Sequence, residues 1–167
     1  ASLISYKVIG QSVFDKVLSN KNIDLKVGRE NIKLQQIPVS TICHKDFCTL
    51  KPDFTIEKSI NLMVKLKKSE GYLIDGDEKL LNKFELHQLI SEKNKNKKIS
   101  KLHQFKFLKL YSESNIFESI EKSKDFVGES IPIVTKQNKM FGIISEGDLF
   151  QIFLKVTREE KELENKD

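Results

Sequence analysis

The sequence predicts an α+β fold. Two copies of one β-α-β-β-α unit pack about a pseudo-twofold axis, with a helical arm before them and a long helix closing the chain. Two observations predict it. The first is self-similarity at a fixed displacement: Val39-Ser40-Thr41-Ile42 returns sixty residues later as Ile99-Ser100-Lys101-Leu102. The same displacement carries Phe47 onto Phe107, Leu50 onto Leu110, and Ile56-x-x-Ser59-Ile60 onto Ile116-x-x-Ser119-Ile120. It also carries Leu73-Ile74 onto Ile133-Val134 and Leu89 onto Leu149, with no gap. The second observation is that apolar period and turn residues read the same way in both copies.

In the first copy, Phe47–Leu50 is a short apolar run stopped by Lys51-Pro52-Asp53, a strand ending in a turn. Thr55 suits a helix N-cap, and Ile56, Ile60, Met63, Val64 and Leu66 give that helix an apolar face to about Lys68. Strands Tyr72–Ile74 and Lys79–Phe84 follow, joined by the turn-forming Asp75-Gly76-Asp77. A helix from Glu85 to Lys93 turns Leu86, Leu89 and Ile90 inward. The second copy predicts strand Phe107–Leu110, helix Ile116–Phe126, and strands Ile131–Thr135 and Met140–Ser145. Its closing helix runs from about Gly147, with Leu149, Ile152, Phe153 and Val156 inward, and frays near Asn165. The chain thus divides into a linker (1–38), a first repeat (39–93), a Lys/Asn-rich joint (94–98), a second repeat (99–156) and a polar helix end (157–167). One unit alone has too little core to stand comfortably, so the two should pack together.

Composition narrows the function. The 167 residues carry 29 Lys+Arg against 24 Asp+Glu, a net charge of +5 spread along the chain, so no nucleic-acid partner is expected. Eleven Phe among 38% hydrophobic residues argue against disorder. No run approaches the ~18–20 apolar residues that cross a bilayer, and no signal-peptide pattern opens the chain, so the polypeptide as given is expected to be soluble. Cys43 and Cys48 point to a reducing compartment; a disulfide between them would close a very small loop and is not expected. Cys43, His44, Cys48 and His103 raise a zinc reading, but only Cys-His-x-x-x-Cys is local, and a buried thiol with surface imidazoles is the better account. No nucleophile triad, paired-carboxylate motif or phosphate loop is recognisable, so an enzyme is not expected. Lys93-Asn94-Lys95-Asn96-Lys97-Lys98 reads as a solvated joint rather than a lipid-binding run.

The doubled unit resembles the cystathionine-β-synthase (CBS) domain pair. Gly142-Ile143-Ile144-Ser145-Glu146-Gly147-Asp148-Leu149 looks like that family's closing pattern G-h-h-S/T-x-x-D-L/I, and Ile131-Pro132-Ile133-Val134 like its preceding strand. The first copy departs, with Tyr72, Asn82, Glu85 and Gln88 at the Pro, Gly, Ser/Thr and Asp positions. The resemblance implies a regulatory adenine-nucleotide site, for AMP, adenosine or ATP. There Asp148 would accept from the ribose hydroxyls and Ser145 would reach sugar or phosphate. The adenine would lie near Phe47, Cys48, Glu70 and Gly71 of the first copy. Read without the family, Asp148 is a carboxylate suited to a first helical turn. Glu70 and Glu146 place negative charge near any phosphates, a cost of about 1 kcal/mol per close pair even in water-like surroundings, so AMP or adenosine is favoured over ATP. The mirror site on Glu85 and Gln88 lacks both ribose-holding residue types.

Before the repeats, Ser12 caps an amphipathic helix carrying Val13, Phe14, Val17 and Leu18, and Ile23–Arg29 reads as an extended connector. Ser12-Val13-Phe14-Asp15, Leu18, Ile23-Asp24-Leu25 and Gly28-Arg29 resemble the linker that ClC-type chloride channels and transporters place between membrane helix and cytoplasmic CBS pair; Asn22 replaces a Gly of that pattern. The resemblance implies a homodimeric transporter, whose transmembrane ClC-type domain would belong to the same full-length chain, and a module on the cytoplasmic side of the membrane. The first residue, Ala1 rather than Met, fits that expectation. The alternatives are a free-standing nucleotide sensor and a ligand-free dimerisation scaffold.

Overall fold

The computed structural model describes residues 29–166. The Ser12-capped helix and most of the extended connector lie outside these residues. Helix α1 (Arg29–Gln36) comes first, where an extended connector was expected to reach Arg29. Its sequence has no apolar face: it docks through the fully buried Leu34 and an ion pair from Lys33 to Glu160 (2.5 Å).

Each repeat then forms a three-stranded sheet. The first holds β1 (Cys48–Leu50), β2 (Glu70–Ile74) and β3 (Leu80–Glu85), with helices α2 (Ile56–Lys65) and α3 (Leu86–Ser91). The second holds β4 (Leu110–Tyr111), β5 (Ile131–Val134) and β6 (Met140–Ile144), with α4 (Ile116–Lys122) and α5 (Glu146–Glu164). In both sheets the first strand is parallel to the second and the third antiparallel to it. The sixty-residue displacement holds in the pairing itself: Leu50 faces Leu73 as Leu110 faces Ile133, and Leu73 faces Asn82 as Ile133 faces Gly142. It holds in the caps as well. The Thr55 hydroxyl accepts from Lys58 N and the Asn115 side chain from Glu118 N, each satisfying an orphan donor of a helix start. Glu85 with Gln88 and Ser145 with Asp148 form matching capping boxes.

Several expectations are corrected. Helix α2 ends at Lys65 rather than Lys68, because Lys67 takes a left-handed conformation (φ 55°) and turns the chain. Val64 (57% exposed), Leu66 and Ile90 (55%) face outward; Ile56, Ser59 and Met63 are buried in the stripe that meets the sheet, with Ile60 and Leu62 packed against its edge. Strand β4 does not reach back to Phe107, which instead packs beside Tyr72, Leu80 and Val134 between the copies. Helix α4 stops at Lys122 rather than Phe126, and the freed segment turns through Gly128 (φ 155°) to bring Glu129 and Ser130 onto the first copy.

The copies exchange their leading segments. Pro38 pairs with Asn115, and Val39 N donates to Ser114 O (2.8 Å), so Val39 is buried in the core of the second sheet. Sixty residues on, Lys98 pairs with Thr55, Ile99 N donates to Phe54 O (2.9 Å), and Ile99 is buried in the core of the first. Lys79 and Lys139 pair with one another beside the pseudo-twofold axis, with Leu80 N donating to Asn138 O and Met140 N to Glu78 O.

One buried ion pair locks this interface. Glu70 Oε1 lies 2.7 Å from Lys83 Nζ, with both side chains under a tenth exposed. Glu70 also accepts from the main-chain N–H groups of Glu129 (3.1 Å) and Ser130 (3.0 Å) and from the Ser130 hydroxyl, while Lys83 donates to Ser130 O (2.6 Å). A first-copy charge pair thus holds a second-copy loop. Removing one partner strands a buried charge and costs about 3–5 kcal/mol, whereas replacing both with apolar groups is often neutral. Urea unfolding should therefore show Glu70→Leu and Lys83→Met each strongly destabilised and the double variant less destabilised than the sum of the two, though short of wild type because the Glu129 and Ser130 main-chain groups lose their partners. Additive losses would contradict a coupled pair.

Candidate ligand-binding site

A cleft of about 400 Å³ opens between the copies. Its second-copy wall is the β6–α5 junction, with Ile143, Ser145 and Asp148; its first-copy wall carries His44, Phe47, Cys48, Glu70 and Tyr72. Of the six residues singled out from sequence, five line it. Gly71 does not: a Cβ there would meet Leu50 Cδ1 at 2.7 Å, so this glycine serves strand–core packing.

Ser145 is the N-cap of α5, so its hydroxyl and the first-turn carboxylate meet where the strand ends. Asp148 N donates to Ser145 Oγ (3.1 Å), while Ser145 N (2.8 Å) and Ser145 Oγ (2.7 Å) both donate to Asp148 Oδ2. Asp148 Oδ1 faces His44 Nε2 at 2.9 Å. Partial burial pushes the Asp148 carboxyl up, but the bonds from His44 and Ser145 outweigh it, and the group sits below the ordinary aspartate value. It is therefore an ionised acceptor at neutral pH. Gly147 adds no side chain beside it, leaving this end of the cleft open.

The opposite end is aromatic. Tyr72 stands edge-on to Phe47, ring centroids 6.0 Å apart, and its hydroxyl shares a 2.6 Å hydrogen bond with Ser130 Oγ. Burial first, then the Glu70 charge, push the Tyr72 phenol far above its usual range, so it stays neutral. Cys48 is buried and its thiol is pushed up by burial; both cysteines are free. Glu70 was expected to load the cleft with uncompensated negative charge, but Lys83 neutralises it within the interface. Lys67, Lys68, Asp46 and Glu129 rim the opening, with Lys68 paired to Asp46 at 2.6 Å.

Sequence reasoning missed His44 and Tyr72 as lining residues. His44 stood out only in the zinc reading, yet Cys43, His44 and Cys48 do not converge, and no metal-holding cluster occurs among the described residues. His103 instead packs edge-on to Phe105. Tyr72 occupied a position where the family pattern has Pro, which gave no hint of an aromatic wall. A second groove, about 590 Å³, runs along α5 between Ile42 and Arg158.

No protein-family model matches the chain. The uncharacterized protein MJ1232 of Methanocaldococcus jannaschii is 23% identical over 158 residues, covering 86% of this chain and 52% of that protein. The chain thus spans about half the length of this curated relative. Among solved structures, a CBS domain pair/ACT domain protein from Thermotoga maritima superimposes with a TM-score of 0.62 at 13% identity, covering 71% of this chain and 98% of that one. CBSX2 in complex with AMP gives 0.59 at 18% identity, covering 72% and 98%. The cytosolic domain of the Mg2+ channel MgtE in complex with ATP gives 0.63 at 13% identity, covering 84% and 59%. Together with the doubled sheet-and-helix unit, these likenesses establish the fold of the described residues as that of a CBS domain pair.

Proposed function

We propose that this chain is the regulatory CBS pair of an ion-transport protein and takes an adenine nucleoside or nucleotide in the cleft between its copies. The observation that carries the reading is the cleft itself: an ionised carboxylate and a hydroxyl on one copy face an aromatic wall on the other. That pairing suits a ribose at Asp148 and Ser145 and a heterocycle against Phe47 and Tyr72. The AMP complex of CBSX2 and the ATP complex of the MgtE domain support the ligand class. Adenosine or AMP is favoured over ATP, because Asp46 and Lys68 offset each other at the opening, leaving Glu129 and Asp148 against Lys67. The role is regulatory rather than catalytic. A ligand bridging the copies biases their arrangement only by its differential affinity for the alternatives.

The transport partner in this reading is a ClC-type chloride channel or proton-coupled antiporter domain of the same full-length chain, at the cytoplasmic face of a membrane. The Ser12–Arg29 pattern supports it, and the MgtE likeness supports a transport partner of some kind. Among the described residues no helix is long and apolar enough to cross a membrane, so the membrane part would lie elsewhere in that chain. A second copy of this chain completes the assembly. Helix α1 covers α4 and α5 of the second repeat, but α2 and α3 pack on each other and their own sheet, leaving Val64 and Ile90 exposed as a contact face.

Four outcomes test these statements. The coding frame should continue upstream into a run of apolar segments; a stop codon directly upstream would remove the transporter. Titration calorimetry should give heat with adenosine or AMP that Asp148→Ala weakens at least about tenfold, the scale of a lost charge-assisted hydrogen bond; silence for adenosine, AMP, ADP, ATP and S-adenosylmethionine would end the ligand reading. Since the Asp148 carboxyl lies below its ordinary 3.8 in the folded protein, its contribution to stability is complete above that value and fades as pH falls through the lower folded value. The stability gap between wild type and Asp148→Asn should accordingly be constant near neutrality and close in acid; a gap that widens in acid would contradict the sign. Light scattering should show a dimer that Val64→Glu with Ile90→Glu dissociates; an unchanged mass would overturn this face as the contact.

A further inference from the structure

Asp148 has about four lone-pair positions on its two oxygens. Ser145 N and Ser145 Oγ use both positions on Oδ2, and His44 Nε2 uses one on Oδ1. A ribose diol needs an acceptor for each hydroxyl, so it cannot reach this carboxylate in bidentate fashion while both partners stay in place. Ser145 is bound to Asp148 through the capping box of α5, and its main-chain bond cannot leave without unravelling the helix start. The Ser145 hydroxyl can turn its proton elsewhere, but the imidazole is the partner that reaches in from the other copy, and its departure opens the second position on Oδ1.

The main chain delivers that imidazole. His44 N donates to Ile143 O (2.8 Å) and Ile143 N to His44 O (2.9 Å), a one-rung bridge between the copies. The bridge forms because residue 142 is glycine: a Cβ there would meet His44 O at 2.7 Å. Residue 82, the counterpart of Gly142, is Asn, whose side chain donates to His103 O (3.2 Å) in place of such a rung. The His44 side chain remains over half exposed and can swing away without disturbing the bridge.

We propose that His44 competes with an incoming ribose for the Asp148 carboxylate and thereby sets the affinity of the cleft and makes it pH-dependent. This rests on the reading that Asp148 holds the sugar. Imidazoles change charge between about pH 5 and 8, and an imidazolium grips a carboxylate harder than a neutral ring does. The charged and titratable groups around His44 are Asp148 from α5, Asp46 with its partner Lys68, Cys43, and Lys45, whose ammonium is turned onto Phe141 O and the Phe141 ring. A proton gained by the ring therefore tightens the internal contact and weakens the ligand.

The test is calorimetry with adenosine on the full chain and on the His44→Ala and Asp148→Ala variants, from pH 5.5 to 8, with unfolding midpoints measured alongside. His44→Ala should bind about tenfold tighter than wild type at pH 6, the scale of one charge-assisted hydrogen bond, with its affinity flat across the range, while wild type weakens toward acid. Equal or weaker binding by His44→Ala, with Asp148→Ala still losing the ligand, overturns the competition and leaves the site reading standing. Equal binding by Asp148→Ala and wild type overturns the site reading and the competition together. No heat from either wild type or His44→Ala likewise ends both. Because the bridge to Ile143 is main chain, His44→Gln serves where the alanine variant unfolds early, with the same flattened pH profile expected.

Discussion

Val39 closes the core of the second repeat and Ile99 closes the core of the first, so neither half contains all of its own interior. Each is fully buried, a contribution of about 1.5–3 kcal/mol apiece if separated halves would expose them. A sheet of three short strands with two helices is a small core, and giving away its lead-in would leave it smaller still. The exchange makes the two halves stand or fall together. It also fixes the distance between the β6–α5 junction and the β1–β2 edge, which is the width of the cleft.

Within that symmetric frame, function depends on where the repeat is broken. Glu70 corresponds to Ser130, Lys83 to Ile143, Asn82 to Gly142, and the Glu85–Gln88 cap to Ser145–Asp148. The first two substitutions convert what would be a self-equivalent contact into a one-way clamp, in which a buried charge pair of the first copy holds Glu129 and Ser130 of the second. The next admits the His44 main chain beside Gly142 on one side only. The last puts a hydroxyl and a short carboxylate at one junction and a longer carboxylate and a neutral amide at the other. The described cleft is asymmetric for these reasons, although the backbones around it are near copies.

Much of this was legible in the sequence because it is encoded locally or by repetition. The sixty-residue displacement reappears in strand register, caps and capping boxes, since identical local patterns meet identical backbone demands. The Thr55 cap and the Asp75-Gly76-Asp77 turn follow from side-chain hydrogen bonding alone; Asp75 Oδ1 accepts from Asp77 N and Lys79 N. What was not legible depends on long-range geometry. Helix α1, with sequence RENIKLQQ, shows no apolar period, because it docks through one leucine, a buried asparagine and an ion pair rather than an apolar stripe. Nothing in a periodic pattern says that Val39 belongs to the other copy. Glu70 was placed at the cleft as an uncompensated charge because nothing in the sequence brings Lys83 to it, and the outward turn of Val64 and Ile90 reflects an uncovered helix face rather than a broken period. At the site, the Ser145–Asp148 spacing was visible, whereas the approach of His44 across about a hundred residues was not.

The exchanged lead-ins make the two repeats one cooperative body. Native-state hydrogen exchange measures this most directly, by comparing amides in the middle of β2 and β5, such as Leu73 and Ile133. One common opening free energy is expected for both sheets. Two separate values, with one sheet exchanging freely while the other stays protected, would contradict it.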